Sequence, residues 1–270
     1  MTLWCLFPNF ICYGLASLFY LAIPFCPHFQ CSEKKKTDLE GLANLFTFFG
    51  VFLQTVYIGY NFFYIRGYPY IQGPKEMMAL LSCGLVFLFL WFAWRSRWVS
   101  LGSFFIPLAF ILFILSLSHS DTPYPWLGGS VKPSWLVFIH ILFALLSLLL
   151  LLGAFILGMA FLVHEHRLKI KKWDSLTMSL PPLLLNEKQA LILLRLGFSM
   201  LTLVLITGAL LLGQLISFFP WQSFHLILAL LAWMIYALIL NRRWLGVEGR
   251  KIVLLSFLGF VSLAALFLWN

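Results

Sequence analysis

The sequence predicts an all-α, polytopic membrane protein of about eight transmembrane helices with both termini outside. Three observations carry that expectation. The chain is 62% hydrophobic and 10% charged, with a mean hydropathy of +0.97. A soluble domain carries about 25% charged residues, so this composition cannot cover a water-facing surface. Apolar runs near the roughly 20 residues that cross a hydrocarbon core as a helix recur along the whole chain. Fifteen of the eighteen Lys and Arg residues fall on one side once those runs are read as spans.

The first run, Leu3–Phe25, follows Met1-Thr2 directly. With no basic segment before it and no small-residue cleavage site after it, it reads as a retained N-out helix and not a signal peptide. Leu42–Tyr64 comes after the Lys34-Lys35-Lys36 cluster. Met77–Trp94 and Phe224–Leu240 are short, so snorkelling or local bilayer thinning is expected there. Trp98–Leu117 leads into Ser118-His119-Ser120-Asp121. Trp135–Val163 and Ala190–Phe219 are long enough to tilt or protrude, and Pro181-Pro182 between them stops any helix arriving from the basic loop. Ile252–Trp269 completes the set. No run contains an acidic residue, and Arg195 is the lone cation inside one.

The loops alternate in charge. Lys34–Lys36, Arg95, Arg97, Arg167, Lys169, Lys171, Lys172, Lys188, Arg242, Arg243, Arg250 and Lys251 fall on one side with Arg195; Arg66, Lys75 and Lys132 fall on the other. The positive-inside rule puts both termini outside and the basic loops in the cytoplasm. The net charge of +9 is then a matter of topology and anionic lipid; no nucleic-acid partner is expected. No segment is long and polar enough for a separate soluble domain, so residues 1–270 are expected to form a single transmembrane domain. The five cysteines are scattered, with no Cys-x-x-Cys for redox chemistry or covalent haem attachment. No P-loop, Gly-x-Gly-x-x-Gly, His-Glu-x-x-His or nucleophile elbow occurs, and no residue set suggests an enzyme.

The six histidines sort by side. His28, His164 and His166 are expected in the cytoplasm, and His164-Glu165-His166, a spacing that could chelate a metal, runs straight into Arg167 and reads instead as a solvated basic face. His119, His140 and His225 are expected at the outer side. His140 lies five residues into its helix, a depth of about 7–8 Å at 1.5 Å per residue. Neutral imidazoles at such depths can hold haem iron from either face of the porphyrin. They equally serve as hydrogen-bond partners of a neighbouring helix, or sit solvated at the interface.

Three stretches taken together resemble the membrane cytochrome c assembly family that includes CcsA, CcmC and the HemX/YpjD-type proteins. Leu180-Pro181-Pro182-Leu183, with Leu196-Gly197-Phe198-Ser199-Met200-Leu201-Thr202-Leu203 and Ile206-Thr207-Gly208, is similar to the family's Leu-Pro-x-Leu linker and Leu-Gly-Phe-x-x-Leu-Thr-Leu helix. Ala232-Trp233-Met234-Ile235-Tyr236 and Gly246-Val247-Glu248-Gly249-Arg250-Lys251 resemble its Trp-x-x-Tyr helix and Gly-Trp-x-Gly-Arg-Arg loop. Gly67-Tyr68-Pro69 with Glu76 resembles its Gly-x-x-Pro…Tyr-Glu-Ser-Leu segment. The matches run in order from about Arg66 to Phe267. Gly197 and Gly208, with Thr202 and Thr207 between them, are expected to let the sixth helix approach a neighbour closely and to offer it hydroxyls. Trp233 and Tyr236, one turn apart, are expected on a common face, as packing or as part of a porphyrin wall.

The resemblance implies a haem-binding protein of cytochrome c assembly that carries non-covalent haem b and handles or delivers it to the outer side. It implies His140 as a ligand of the haem iron, since Phe138-Ile139-His140 opens its helix as the family's does, and assembly proteins as partners. His225, which stands where the family has a lysine, is the second candidate ligand by its place at the mouth of its helix, with His119 and Trp221 nearby. The sequence also departs from the haem-presenting members. Trp221-Gln222-Ser223-Phe224-His225-Leu226 replaces their Trp-rich loop, Gln54-Thr55 stands near a second-helix histidine, and Leu268-Trp269-Asn270 offers no further histidine. Those departures point to the HemX/YpjD-like branch. The alternative they imply is a regulatory or scaffold membrane protein that affects a haem biosynthesis enzyme without delivering haem.

Overall fold

Helix accounts for every regular element among the described residues. These elements are α1 (Thr2–Ala22), α2 (Glu33–Tyr60), α3 (Pro74–Ser96), α4 (Gly102–Ser118), α5 (Trp135–Lys169), α6 (Leu183–Leu212), α7 (Pro220–Leu240) and α8 (Arg250–Leu268), with a 3₁₀ turn, Val99–Leu101, leading into α4. The computed structural model describes residues 2–23, 33–61, 73–96, 98–118, 135–171, 180–212, 220–241 and 250–268. Side chains are described there except at 2–5, 33–36, 74, 212, 220–225, 250–251 and 264–268.

These eight helices answer the eight apolar runs. Five contain stretches long and apolar enough to cross a membrane: Thr37–Tyr60, Lys75–Ser96, Val99–Ser118, Trp135–Lys169 and Leu183–Leu211. Shorter apolar stretches lie in the others, at Leu6–Ala22, Leu226–Leu240 and Ile252–Leu263. Several helices outrun their apolar cores. Glu33–Gly41 joins α2 because Glu, Lys and Leu are strong helix formers. The 35 residues of α5 reach about 52 Å, well past a hydrocarbon core of about 30 Å. Local chemistry marks the ends. Pro74 takes the first position of α3, where its missing N–H is harmless, and the Gly73 N–H donates to Glu76 Oε2 at 2.8 Å, half of a capping box. After α5, Lys171 adopts φ 52°, the left-handed cap usually given to glycine.

The chain divides into two compact units, Met1–Asp121 with Val163–Leu183, and Thr122–Leu162 with Leu184–Asn270. In the first, α1 packs on α2 and α4, and α3 packs on α4 and α2. Its interior carries polar rungs. Tyr13 Oη donates to Gln54 Oε1 at 2.5 Å, and Gln54 Nε2 donates to the Ala79 carbonyl at 3.0 Å. Tyr20 Oη donates to Asn44 Oδ1 at 2.7 Å, and Ser82 donates to the Ala109 carbonyl at 2.8 Å. In lipid, where water satisfies nothing, such bonds join helices that apolar faces alone do not align. Gly50 and Gly102 give the two tyrosine rings their space; a Cβ at either would collide with the ring.

His164 corrects the expectation of a solvated basic face. It is 8% exposed, and its Nδ1 lies 3.0 Å from the Pro181 carbonyl, a group outside any helical ladder that needs a donor. The neighbouring Glu165 instead pairs with Lys169 at 2.6 Å along the exposed surface.

In the second unit α5 and α6 run antiparallel. Ser147 donates to the Gly197 carbonyl at 3.1 Å, and Asn186 Nδ2 donates to the Leu157 carbonyl at 3.1 Å. Helix α8 returns alongside α5, with Phe155 stacked on Phe260 at 5.9 Å. It also meets α7, where Tyr236 Oη donates to the Ser256 carbonyl at 3.3 Å.

Candidate functional site

Helix α6 carries its two threonines and two glycines toward different neighbours. Gly197 lies against α5, where an added Cβ would come within 2.8 Å of the Leu151 side chain. Thr202 faces α7, accepting the Trp233 indole N–H at 3.0 Å while its own hydroxyl reaches the Phe198 carbonyl at 2.9 Å. Phe198 stacks on the Trp233 ring at 5.5 Å. Trp233 therefore turns toward α6 and Tyr236, one turn on, toward α8. In the described contacts this aromatic pair serves helix packing.

Thr207 faces α5 and meets His140. The imidazole Nδ1 lies 2.9 Å from Thr207 Oγ1. That oxygen is also 2.8 Å from the Leu203 carbonyl and 3.1 Å from the Val204 carbonyl of its own helix. The ring lies close over Gly208, where a Cβ would stand 3.3 Å from His140 Cε1. Antiparallel pairing brings these residues together: His140 is five residues after Trp135, the start of α5, and Thr207 five before Leu212, the end of α6.

His225 belongs to the same end of this unit by position. It stands five residues after Pro220, the start of α7. From the Thr202–Trp233 contact, eight residues further along each helix stand Leu210 and His225. The side chains of His225 and Trp221 are outside the described set, and His119 lies outside the described residues altogether. Of the four positions singled out from the sequence, His140 is therefore the one whose surroundings are defined. Its partner Thr207 was visible in the sequence only as a hydroxyl in an apolar helix; the pairing needed the register of two helices.

Gln54, in the first unit, stands near the position where the haem-presenting proteins carry a histidine. It is fully buried, and both ends of its amide are engaged, with Tyr13 and Ala79. Among the described residues no three His, Cys, Asp or Glu side chains gather into a metal cluster. A small apolar cavity lies elsewhere in the second unit, lined by Ala154, Gly158, Glu187 and Ser256 among others. Ala154 is 14 residues from His140, about 21 Å along α5, so this cavity and the histidine are separate features.

A profile of the cytochrome c assembly protein family matches residues 73–269, well over half of the chain. The chain belongs to the cytochrome c assembly protein family. It is a multi-pass membrane protein, and a role in cytochrome c biogenesis follows from that membership. No curated protein and no solved structure gives a significant match. The family match takes in His140, Thr207, Trp221, His225 and Trp233, and leaves Gln54 outside. Haem is the group that the family resemblance implies, and among the residues named for it His140 is the one whose ring is described. An imidazole held through Nδ1 by a neighbouring hydroxyl keeps Nε2 for a metal, the usual arrangement of a histidine ligand.

Proposed function

We propose that this cytochrome c assembly protein binds haem b non-covalently at the outer side of the bacterial cytoplasmic membrane and handles it for attachment to apocytochrome. His140 would hold one face of the iron and His225 the other, with Trp221 and His119 at the rim. Haem, when bound, supplies the vinyl groups that apocytochrome thiols attack; this chain's part is to hold, orient and shield it. The observation that carries the reading is the His140–Thr207 pair, a partly buried imidazole tied to the next helix through one ring nitrogen. The positive-inside distribution supports the orientation, with both termini outside and the basic loops in the cytoplasm.

Purified protein from haem-replete cells is expected to show a b-type spectrum, and His140→Ala to lose or shift its Soret band. A colourless wild-type protein, or an unchanged spectrum in the variant, defeats the proposal.

Gln54, near where the family resemblance expects a second-helix histidine, favours a second reading, its amide being committed to Tyr13 and Ala79. Here the protein is a HemX-like scaffold that contacts a haem biosynthesis enzyme through the basic segment holding Arg167, Lys169 and Lys171. Neutralising these three residues would then change the level of that enzyme while leaving haem content untouched.

A further inference from the structure

We infer that Thr207 is a positioning residue that fixes the tautomer of His140, holding the ring proton on Nδ1 and presenting Nε2 as the free electron pair. This deepens the haem-binding reading and rests on it for its purpose, though the tautomer itself stands independently of any ligand.

The argument is one of proton counting. A threonine hydroxyl has one proton to give and two lone pairs to offer. Around Thr207 Oγ1 stand two carbonyl oxygens, of Leu203 at 2.8 Å and Val204 at 3.1 Å, and the His140 Nδ1 at 2.9 Å. Carbonyls only accept. If the hydroxyl aimed its proton at Nδ1, its lone pairs would face the Leu203 oxygen at 2.8 Å with no hydrogen between them. If the proton goes to a backbone carbonyl, a lone pair is left for an N–H, and Nδ1 supplies it.

The same helix holds a reference case. Thr202 is 3.0 Å from the Trp233 indole nitrogen and 2.9 Å from the Phe198 carbonyl. An indole N–H can only donate, so the Thr202 hydroxyl must send its own proton back along the helix. Thr207 repeats that geometry five residues later, with an imidazole in place of the indole. In a low-dielectric setting the wrong tautomer leaves two electron pairs facing each other, a penalty large enough to select one form. Gly208 gives the ring its room: a Cβ there would stand 3.3 Å from Cε1, so the ring would have to give by a few tenths of an ångström.

The test uses the full chain in detergent micelles, labelled with ¹⁵N-histidine and kept free of haem at mildly alkaline pH, with the His140 signals assigned by a His140→Asn variant. Wild type and Thr207→Ser are expected to show a protonated Nδ1 and a bare Nε2, and Thr207→Val to drift toward the Nε2–H form. Haemin titration of the same samples is expected to give about 10–100-fold weaker binding for Thr207→Val and near-wild-type binding for Thr207→Ser. A protonated Nε2 in the wild type overturns the inference, as does, where the wild type binds haemin, equal haemin affinity in the Val and Ser variants. Wild-type protein that takes up no haemin sinks the haem reading alone; the nitrogen signals of unmodified protein still decide the tautomer, and they do so even where Thr207→Val fails to fold.

Discussion

The indole N–H of Trp233 donates to the Thr202 hydroxyl at 3.0 Å, joining α7 to α6 through a bond whose direction chemistry leaves no freedom. Trp233→Phe keeps an aromatic ring against Phe198 and removes this bond alone. The expected loss is about 0.6–1.5 kcal/mol, the range for interhelical hydrogen bonds in membranes. Thr202→Val should lose a similar amount and the double variant little more. Unfolding in mixed micelles across the four proteins measures the coupling; fully additive losses would mean the bond contributes nothing.

Gly197 and Gly41 should respond oppositely to the same change. A Cβ on Gly197 meets Leu151 Cγ and Cδ2 at 2.8 Å and its backbone nitrogen at 3.2 Å, whereas one on Gly41 meets nothing within 4 Å. Gly197→Ala must push α5 and α6 apart and is expected to destabilise by about 1–3 kcal/mol. Gly41→Ala should stabilise by about 0.4–1 kcal/mol by restricting the unfolded chain. Thermal inactivation midpoints of the two variants would separate them; a shift in the same direction contradicts the packing described.

Loss of the His164–Pro181 bond should loosen the connection between α5 and α6. His164→Ala strands a buried carbonyl at a penalty of about 1–3 kcal/mol. Limited trypsin digestion is expected to cut His164→Ala faster than wild type at Lys171 or Lys172. Equal cleavage rates would show that the bond does not hold this segment.

Asn9 offers a test with the opposite sign. It is fully buried in the first unit, and neither of its amide atoms has a hydrogen-bond partner among the described residues. Replacing a buried amide of this kind by an apolar side chain of similar size removes a desolvation penalty. Asn9→Leu is expected to raise the unfolding midpoint. A clear fall would reveal a partner for Asn9 that the bundle does not supply.

Topology is checked by labelling. In a background with the five native cysteines replaced, Lys132→Cys should react with a membrane-impermeant maleimide on intact cells, and Lys171→Cys only after permeabilisation. The reverse pattern would turn the chain over and put His140 at the cytoplasmic side.

Much of the fold was legible because a bilayer imposes one simple rule, that a long apolar run is a helix. The runs from Leu3, Leu42, Met77, Trp98, Trp135, Ala190, Phe224 and Ile252 each became one. Helix ends were harder to read, because Glu33–Asp38 and Leu183–Lys188 are polar or mixed yet good helix formers, and hydropathy does not see propensity. Site chemistry was legible by residue type and not by partner. His140 stood out as an ionisable group inside an apolar helix, and Thr207 and Gly208 as close-approach residues. That they meet depends on the α5–α6 register, which no local pattern encodes. His164 misled because its neighbours Glu165 and Arg167 are surface residues; burial of one side chain in a charged stretch depends on where Pro181 returns. Gln54 drew attention only as a missing histidine, and its bonds to Tyr13 and Ala79 were invisible without the bundle.

Those bonds have a consequence for how α1–α4 find their places. Greasy surfaces slide: a leucine-rich face meets its neighbour almost equally well after slipping by one helical pitch of about 5.4 Å. Tyr13, Tyr20, Asn44, Gln54 and Ser82 do not slip, because every displaced alignment leaves a donor or acceptor stranded in oil. Registration of this half of the molecule is thus written in a handful of oxygen and nitrogen atoms, and swapping them for carbon would leave helices that still gather but no longer know where to stop.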